Sequence, residues 1–273
     1  MADTLSLRAK IEKSPMGAYQ WMIVVMAAIM NLLDGFDVLA LAFTATAIRS
    51  EFGLTGIELG YLLSAGLFGM TAGSLFLAPL ADKIGRRPLL LMAVSLSAIG
   101  MLGSAFISQY QWLGFWRVIT GLGVGGILVG TNVITSEYSS RKWRSFAISV
   151  YAAGFGIGAV LGGMFAVMLQ GEYGWRSVFL AGAILTGLLL VVLFIWLPES
   201  IDFLTSKQPK NAEVRLNLIA KKIGLAGDWK LPEKAEKVKS KLPISQLFSE
   251  KYLHSTLLIW TAFFAIMFSF YFI

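Results

Sequence analysis

The first long apolar run of the chain, residues 19–42, reads YQWMIVVMAAIMNLLDGFDVLALA. A membrane-spanning helix needs roughly 20 consecutive, predominantly apolar residues, so this run is long enough to cross a bilayer. Its charged residues are Asp34 and Asp37. We therefore predict a membrane-spanning helix that carries an acidic pair at membrane depth.

The rest of the chain repeats this apolar pattern. Six further runs lie at about residues 58–80, 88–107, 112–135, 145–169, 176–197 and 254–273. The whole chain of 273 residues is 56% hydrophobic and only 14% charged, whereas soluble domains have about 25% charged residues. These features predict an all-α integral membrane protein embedded in a lipid bilayer. The chain contains no cysteine, which excludes disulfides and thiol catalysis.

Lysine and arginine are distributed unevenly between the apolar runs. Eleven of them lie between residues 198 and 253, and the connections near residues 52 and 172 hold only Arg49 and Arg176. The other basic residues are Arg8, Lys10 and Lys13 before the first run, Lys83, Arg86 and Arg87 after the second, Arg117 within the fourth, and Arg141, Lys142 and Arg144 after it. The positive-inside rule then predicts a multi-pass protein of the cell inner membrane with a cytoplasmic N-terminus. The basic residues form no single aromatic-rich face, so the net charge of +7 does not indicate nucleic-acid binding.

This pattern also predicts the domain organisation. We expect a cytoplasmic N-terminus at 1–18, a six-helix bundle at 19–197, a cytoplasmic linker at 198–253, and a seventh helix at 254–273 that starts a second bundle. Transporters are commonly built from such repeats. We therefore expect the chain to be the N-terminal half of a protein with about twelve spans, whose C-terminal half is missing.

The linker is predicted to contain amphipathic helices that lie along the inner membrane face. In the first, Val214, Leu218 and Ile219 form the apolar side, and Gly224 ends the helix. A second helix is predicted to begin near Pro243.

The acidic pair in the first run points to function. An ionised side chain at membrane depth costs roughly 2.5 to 3.5 kcal/mol on insertion scales and usually marks a substrate, ion or proton pathway. The spacing places Asn31, Asp34 and Asp37 on one helical face, which we expect to face a water-filled cavity. Arg117 in the fourth run is predicted to lie at similar depth and to pair with the acids. The alternative is an ion pair with a purely structural role between helices.

The connection between the second and third runs, residues 78–87, reads APLADKIGRR. It resembles the signature loop of the major facilitator superfamily, with Asp82, Gly85, Arg86 and Arg87 in the matching positions and Ala78 in place of the usual glycine. Four further segments also resemble this superfamily: RVITGLGVG at 117–125, EYSSRKWR at 137–144, Trp175-Arg176 and LPES at 197–200. The resemblance covers almost the whole chain.

The resemblance implies a fold and further roles. The fold is the N-terminal six-helix bundle of a major facilitator, followed by the start of the seventh helix. Asp82, Arg86 and Arg87 would form a conformational latch with Glu137 or Arg144, although side chains at helix ends can also be simply solvated.

Within the superfamily, the string DGFD at residues 34–37 is similar to the aromatic acid:proton symporter family, whose members import benzoate-, hydroxybenzoate- and muconate-like anions. This resemblance implies that Asp34 and Asp37 exchange protons and that Arg117 pairs with them or with the substrate carboxylate. Depth alone adds Asn31, Asn132 and Tyr151 as candidate hydrogen-bonding groups. Residues 154–163 are close to the antiporter signature but have Ala159 in place of its proline, which weakens the interpretation as a drug exporter.

Other functions are less well supported by the sequence. No phosphate-binding glycine loop, metal-ligand cluster or nucleophile motif appears, so we expect no enzyme, no cofactor and no metal site. Two alternatives to the aromatic acid symporter stay open: a sugar or polyol carrier of the same superfamily, and a non-transporting truncated fragment. Glycines at 154, 158 and 162 have a spacing that lets helices approach closely, so we predict a packing role for them.

Overall fold

The computed structural model of the chain describes residues 6–231 and 248–272. The helices in these ranges, in chain order, are α1 Leu7–Lys13, α2 Ala18–Phe52, α3 Gly56–Ile84, α4 Arg86–Ala105, α5 Tyr110–Tyr138, α6 Arg144–Tyr173, α7 Arg176–Trp196, α8 Ile201–Lys207, α9 Ala212–Lys222 and α10 Glu250–Phe272. Helices α1 to α9 form one compact unit, and α10 belongs to a second. The described residues contain no strand.

Six of the described helices, α2 to α7, are long and apolar enough to cross a membrane. The predicted class, an all-α integral membrane protein, is therefore confirmed. Helix α10, of 23 residues, contains a shorter apolar stretch at Tyr252–Ala265. The linker helix predicted from Pro243 lies outside the described residues, apart from Phe248.

Helices α2, α3, α5 and α6 extend at both ends beyond the apolar runs that predicted them. Helix α2 has 35 residues and continues ten residues past the predicted end at 42. It ends where Gly53 adopts φ +64°, a left-handed conformation that glycine adopts most easily. Thr55 then caps α3, since its hydroxyl accepts a hydrogen bond from the backbone nitrogen of Glu58 at 3.3 Å. Hydropathy marks the membrane-depth part of a helix, whereas capping residues mark its end.

The core of the bundle consists of helix pairs in close contact. Helix α2 packs against α6, α3 against α5, and α4 against both α5 and α7. Glycines permit this approach, as predicted for Gly158: a Cβ atom there would lie 1.9 Å from the backbone oxygen of Leu32. Gly69 has the same role in α3, since a Cβ atom there would lie 2.3 Å from the backbone oxygen of Val118. These helices touch backbone to backbone, which any larger side chain would prevent.

The short helices α1, α8 and α9 pack at the end of the bundle where α2 begins and α7 ends. Leu7 and Ile11 of α1, Leu204 of α8 and Leu216 of α9 join one apolar cluster with Tyr138 of α5. We call this end the N-terminal end. An ion pair between Arg8 of α1 and Asp202 of α8 also joins the short helices at this end.

The residues of the predicted apolar side of α9 are placed differently within the protein. Ile219 is buried as expected, but Val214 and Leu218 are 59% and 55% exposed. The buried stripe instead contains Ala212 and Leu216. The predicted contact of Val214 and Leu218 with the inner membrane face stays a prediction. Gly224 follows α9 with φ +78°, as a helix stop requires.

A test of backbone contact is the substitution Gly158→Ala. The added methyl group would collide with the Leu32 carbonyl, so α2 and α6 must separate, and we expect a loss of about 1–3 kcal/mol in stability. Gly156→Ala on the same helix is the matched control, because nothing lies within 4 Å of its Cβ position. Thermal unfolding in detergent should show a lower midpoint for Gly158→Ala alone; equal midpoints would contradict the backbone contact.

Candidate functional site

A buried ion pair lies between α2 and α5. Asp37 and Arg117 are each only 3% exposed, and Nη1 of Arg117 donates to Oδ1 of Asp37 at 2.8 Å. The second carboxylate oxygen is also used, since the Ser97 hydroxyl of α4 donates to Oδ2 at 3.0 Å. Three helices thus meet at one carboxylate, and its charge is balanced by a single arginine.

Arg117 also contacts residues other than Asp37. Its Nη2 donates to the hydroxyl oxygens of Ser104 at 3.1 Å and Thr120 at 3.0 Å. The centre of its guanidinium lies 4.8 Å from the ring centroid of Phe179, within the range of a cation–π contact. Because Nη1 and Nη2 donate to different partners, the guanidinium does not bind Asp37 in a bidentate manner. Nε has no partner among the described residues.

Asp34 lies one helical turn before Asp37 in an environment of a different kind. It is 2% exposed, and its Oδ2 has no hydrogen-bond partner within the described part of the chain. No ion pair between Asp34 and a basic residue is present there either. The two acids predicted to act together are therefore unequal: Asp37 is engaged by Arg117 and Ser97, whereas Asp34 keeps an available oxygen.

The three candidate hydrogen-bonding residues are placed differently. Asn31 is buried, and its Nδ2 donates to the backbone oxygens of Tyr151 at 2.8 Å and Ala152 at 3.4 Å. This amide therefore joins α2 to α6, although its Oδ1 is unpartnered in the described residues. The side chain of Tyr151 is buried, while Asn132 is exposed on α5. Only Asn31 and Tyr151 lie in the same interior as the acids.

A small cavity reaches the ion pair from the side of α3. Its volume is about 40 Å³, and its lining includes Asp37, Arg117, Thr120, Gly66 and Met70. A space of this size holds water, whereas ligand pockets measure about 300–1,000 Å³. This cavity therefore has room for water beside the ion pair, but not for an organic ligand.

The predicted latch residues lie at the N-terminal end of the bundle. Arg86 donates to Asp82 at 2.8 Å within the same turn. The backbone nitrogens of Arg86 and Arg87 both donate to Oε1 of Glu199, at 2.8 and 3.1 Å. Gly85 has φ +105°, and a Cβ there would lie 2.6 Å from Glu199. Glycine is therefore required for both the turn and the approach of this carboxylate to the start of α4.

Glu137 and Arg144 have other partners than those predicted. Glu137 accepts from the Ser200 hydroxyl and the Ile201 backbone nitrogen, both at 2.9 Å. Arg144 pairs with Glu12 of α1 at 2.7 Å, and this hydrogen bond holds the pKa of Glu12 below its usual value. In this structure Glu137 and Arg144 thus contact the start of α8 and α1, and neither forms an ion pair with Asp82, Arg86 or Arg87 among the described residues. The conformational latch stays a prediction.

Several residues of the site had no signal in the sequence. Ser97, Ser104 and Thr120 complete the ion pair, but small hydroxyl residues are common in membrane helices, where they also bond their own backbone. Glu199 was visible as the acid of the LPES segment. Its contact with the start of α4 could have been inferred only from the fold.

Comparison with known proteins gives the same architecture. Residues 27–273 match the Major Facilitator Superfamily. The chain is 34% identical over 254 residues to a gallate transporter of Pseudomonas putida, covering 93% of this chain and 57% of that protein. It is 33% identical to the 4-hydroxybenzoate transporter PcaK of Pseudomonas putida, covering 97% of this chain and 59% of that protein. The chain thus spans somewhat more than half the length of these relatives.

Solved structures share the fold. A partially occluded, inward-open structure of the xylose transporter XylE from E. coli superposes with a TM-score of 0.66 at 22% identity, over 74% of this chain and 55% of that one. An inward-facing, occupied structure of a bacterial homologue of the human lysosomal transporter Spinster gives a TM-score of 0.60 at 20% identity, over 68% of this chain and 46% of that one. Together with the match over residues 27–273, the six spanning helices identify this chain as a member of the major facilitator superfamily.

Proposed function

We propose that this chain belongs to a proton-coupled symporter that imports a small aromatic or related unsaturated organic acid, such as benzoate, hydroxybenzoate or muconate. The observation that carries the proposal is the buried, unequal acidic pair with its single arginine. Relatives named as transporters of gallate, 4-hydroxybenzoate, benzoate and cis,cis-muconate support the substrate class. The partners of the site would be an organic anion and protons.

The domain organisation and orientation are part of the same proposal. Residues 19–197 would form the N-terminal bundle, with residues 1–18 and 198–253 in the cytoplasm and the seventh helix from 254 opening a second bundle. Support comes from the lysine and arginine distribution and from the relatives, of which this chain covers 57 to 59%. The substrate site would then lie between the two bundles, near the middle of the inner membrane.

Arg117 would recognise the substrate carboxylate. In the structure this guanidinium is engaged by Asp37 through Nη1 only, so its Nε remains available. A proton that neutralises Asp37 would weaken this attraction and leave the arginine with excess positive charge. Since a guanidinium binds carboxylates through paired hydrogen bonds, a substrate anion could then replace Asp37. Protonation of Asp37 would thus favour binding of the substrate anion at Arg117, which couples the two events.

Asp34 would be the second proton acceptor. Its available oxygen lies in the interior, one turn from Asp37, and carboxyl groups this close titrate as a coupled pair. Electroneutral import of a monoanion requires one proton. Each further proton would add about 2.3 kcal/mol of driving force per 100 mV of membrane potential, so two acids allow for either stoichiometry.

A conformational latch at the N-terminal end is also proposed. It would consist of Asp82, Gly85, Arg86, Arg87, Glu137 and Arg144. Their present contacts join the α3–α4 turn, α1 and the start of α8, which are elements that must move together when a bundle rocks.

The substrate class can be tested by uptake in cells or proteoliposomes with the full-length protein. We expect labelled 4-hydroxybenzoate to accumulate when the outside is acidic, and unlabelled benzoate-type anions to compete while xylose does not. Competition by sugars alone would favour the sugar carrier. Absence of any uptake, with the protein correctly inserted, would favour the non-transporting alternative.

The role of Arg117 can be tested by Arg117→Ala. Removing it leaves the Asp37 carboxylate buried and unpaired, which commonly costs about 3–5 kcal/mol, so both thermal stability and uptake should fall. Arg117→Lys should rescue only partly, because an ammonium group cannot reach Asp37, Ser104 and Thr120 together. Arg141→Ala, at an exposed position, is the control.

A double variant separates folding from transport. Arg117→Gln combined with Asp37→Asn removes both charges, so stability should return while uptake stays absent. Normal uptake by Arg117→Ala, or by the double variant, would show that the ion pair is not part of the transport site.

The proton-coupling role can be tested by Asp34→Asn and Asp37→Asn. Each should abolish accumulation driven by a pH difference, because an amide cannot exchange a proton. Exchange of substrate across the membrane without net accumulation should survive in Asp34→Asn, since Arg117 and Asp37 are intact. Asp228→Asn, at an exposed position, should behave as wild type. If both variants still concentrate substrate, and a protonophore abolishes this, other residues couple the proton.

A further inference from the structure

A second cavity lies at the N-terminal end of the bundle, apart from the buried ion pair. Its volume is about 260 Å³. We call it the basic pocket and define it by Tyr19 of α2, Arg87 of α4, Trp196 of α7, and Arg215 and Lys222 of α9; Glu199 and Leu218 also line it. Four helices that are distant in sequence therefore meet around one space.

The basic pocket carries more positive than negative charge. Among the described residues, none of its three cations forms an ion pair. Glu199 is the acid in its lining, but this residue is only 7% exposed. Its Oε1 already accepts from the backbone nitrogens of Arg86, Arg87 and Ser200. Three cations and one carboxylate leave the pocket with an excess of positive charge, which favours an anionic ligand.

The cations are oriented by the pocket itself. Nη2 of Arg87 donates to the backbone oxygen of Phe194 at 2.6 Å, and its buried Nε has no partner in the described part of the chain. The ammonium of Lys222 lies 5.3 Å from the ring centroid of Tyr19. The Tyr19 hydroxyl in turn donates to the backbone oxygen of Trp196 at 3.3 Å. Arg215 and Lys222 project from α9 as the exposed members of the set.

One side of the basic pocket continues into an apolar surface. The last turn of α7 exposes Phe194, Ile195 and Trp196 by 66%, 59% and 47%, and α7 is the most apolar of the six spanning helices. Tyrosine and tryptophan are enriched at the boundary between headgroups and hydrocarbon. The pocket thus lies where a spanning helix leaves the membrane, with cations on one side and a hydrocarbon-facing surface on the other.

We propose that the basic pocket binds the phosphate headgroup of an anionic phospholipid, whose acyl chains lie along the end of α7. Basic residues at this depth attract anionic lipids with about 1 kcal/mol each, and arginine suits phosphate because of its forked donors. A bound lipid would connect α9 to α2, α4 and α7. The site is independent of the proposed transport of organic acids.

The test uses the purified protein in neutral detergent. Phosphatidylglycerol should raise the midpoint of thermal unfolding, while phosphatidylcholine should not. In Arg215→Gln/Lys222→Gln the lipid concentration required should rise roughly 30-fold, because two such charges are lost. Lys207→Gln/Lys221→Gln removes the same charge outside the pocket and should respond as wild type. Native mass spectrometry should find phosphatidylglycerol bound to wild type and depleted in the pocket variant.

The other outcomes contradict the proposal. Equal protection by phosphatidylcholine would show general solvation by lipid, and equal loss in both double variants would show a general charge effect. Inorganic phosphate or glycerol 3-phosphate matching phosphatidylglycerol would identify a soluble phosphate ligand instead. Should the double variant unfold without lipid, the single variants Arg215→Gln and Lys222→Gln provide the same test, each with a roughly 5-fold effect.

Discussion

The ion pair between Asp37 and Arg117 is the constraint on which the interior of the bundle depends. Both side chains are almost fully buried, so each would be very costly without the other. The two charges neutralise each other only while α2, α4 and α5 keep their present arrangement. Ser97 then bonds the second oxygen of Asp37, and Ser104 and Thr120 accept from Nη2 of Arg117. The pair also isolates Asp34, since the single buried arginine is already engaged. A site with two acids and one base is therefore suited to change its protonation.

Close helix contact makes this arrangement possible. Glycines in α3 and α6 bring these helices against the backbones of α5 and α2, which fixes their rotation and depth. Helices in lipid have no hydrophobic driving force for association, so this close packing stabilises the bundle instead. Asn31 adds a polar contact of the same kind by donating to the backbone of α6. The position of the acids is thus set by the contacts of α2 with the backbone of α6 and by the ion pair with α5.

The N-terminal end is organised by carboxylates that accept backbone amides. Glu199 accepts at the start of α4, and Glu137 accepts at the start of α8, where the amides left without helical partners point outward. Tyr138 fixes the same region by donating to the backbone oxygen of Glu199 at 2.7 Å. These acids are structural partners of helix ends, and Glu199 lies beside Arg87 in the lining of the basic pocket. One set of contacts therefore shapes both the proposed latch and the proposed lipid site.

The sequence by itself determined the membrane class, the six spanning helices, and the acids and arginine of the interior, because each depends on local composition and helical spacing. It could not determine which acid the arginine meets. The apolar runs placed Arg117 at a depth similar to that of the acids, and in the structure Asp37 lies 15 residues before the end of α2 at Phe52, while Arg117 lies seven after the start of α5 at Tyr110. Tertiary structure alone decided this pairing, the contacts of Glu199 and Arg144, and the buried face of α9. Each of these depends on helix tilt and on neighbours distant in the chain, which helical periodicity does not encode.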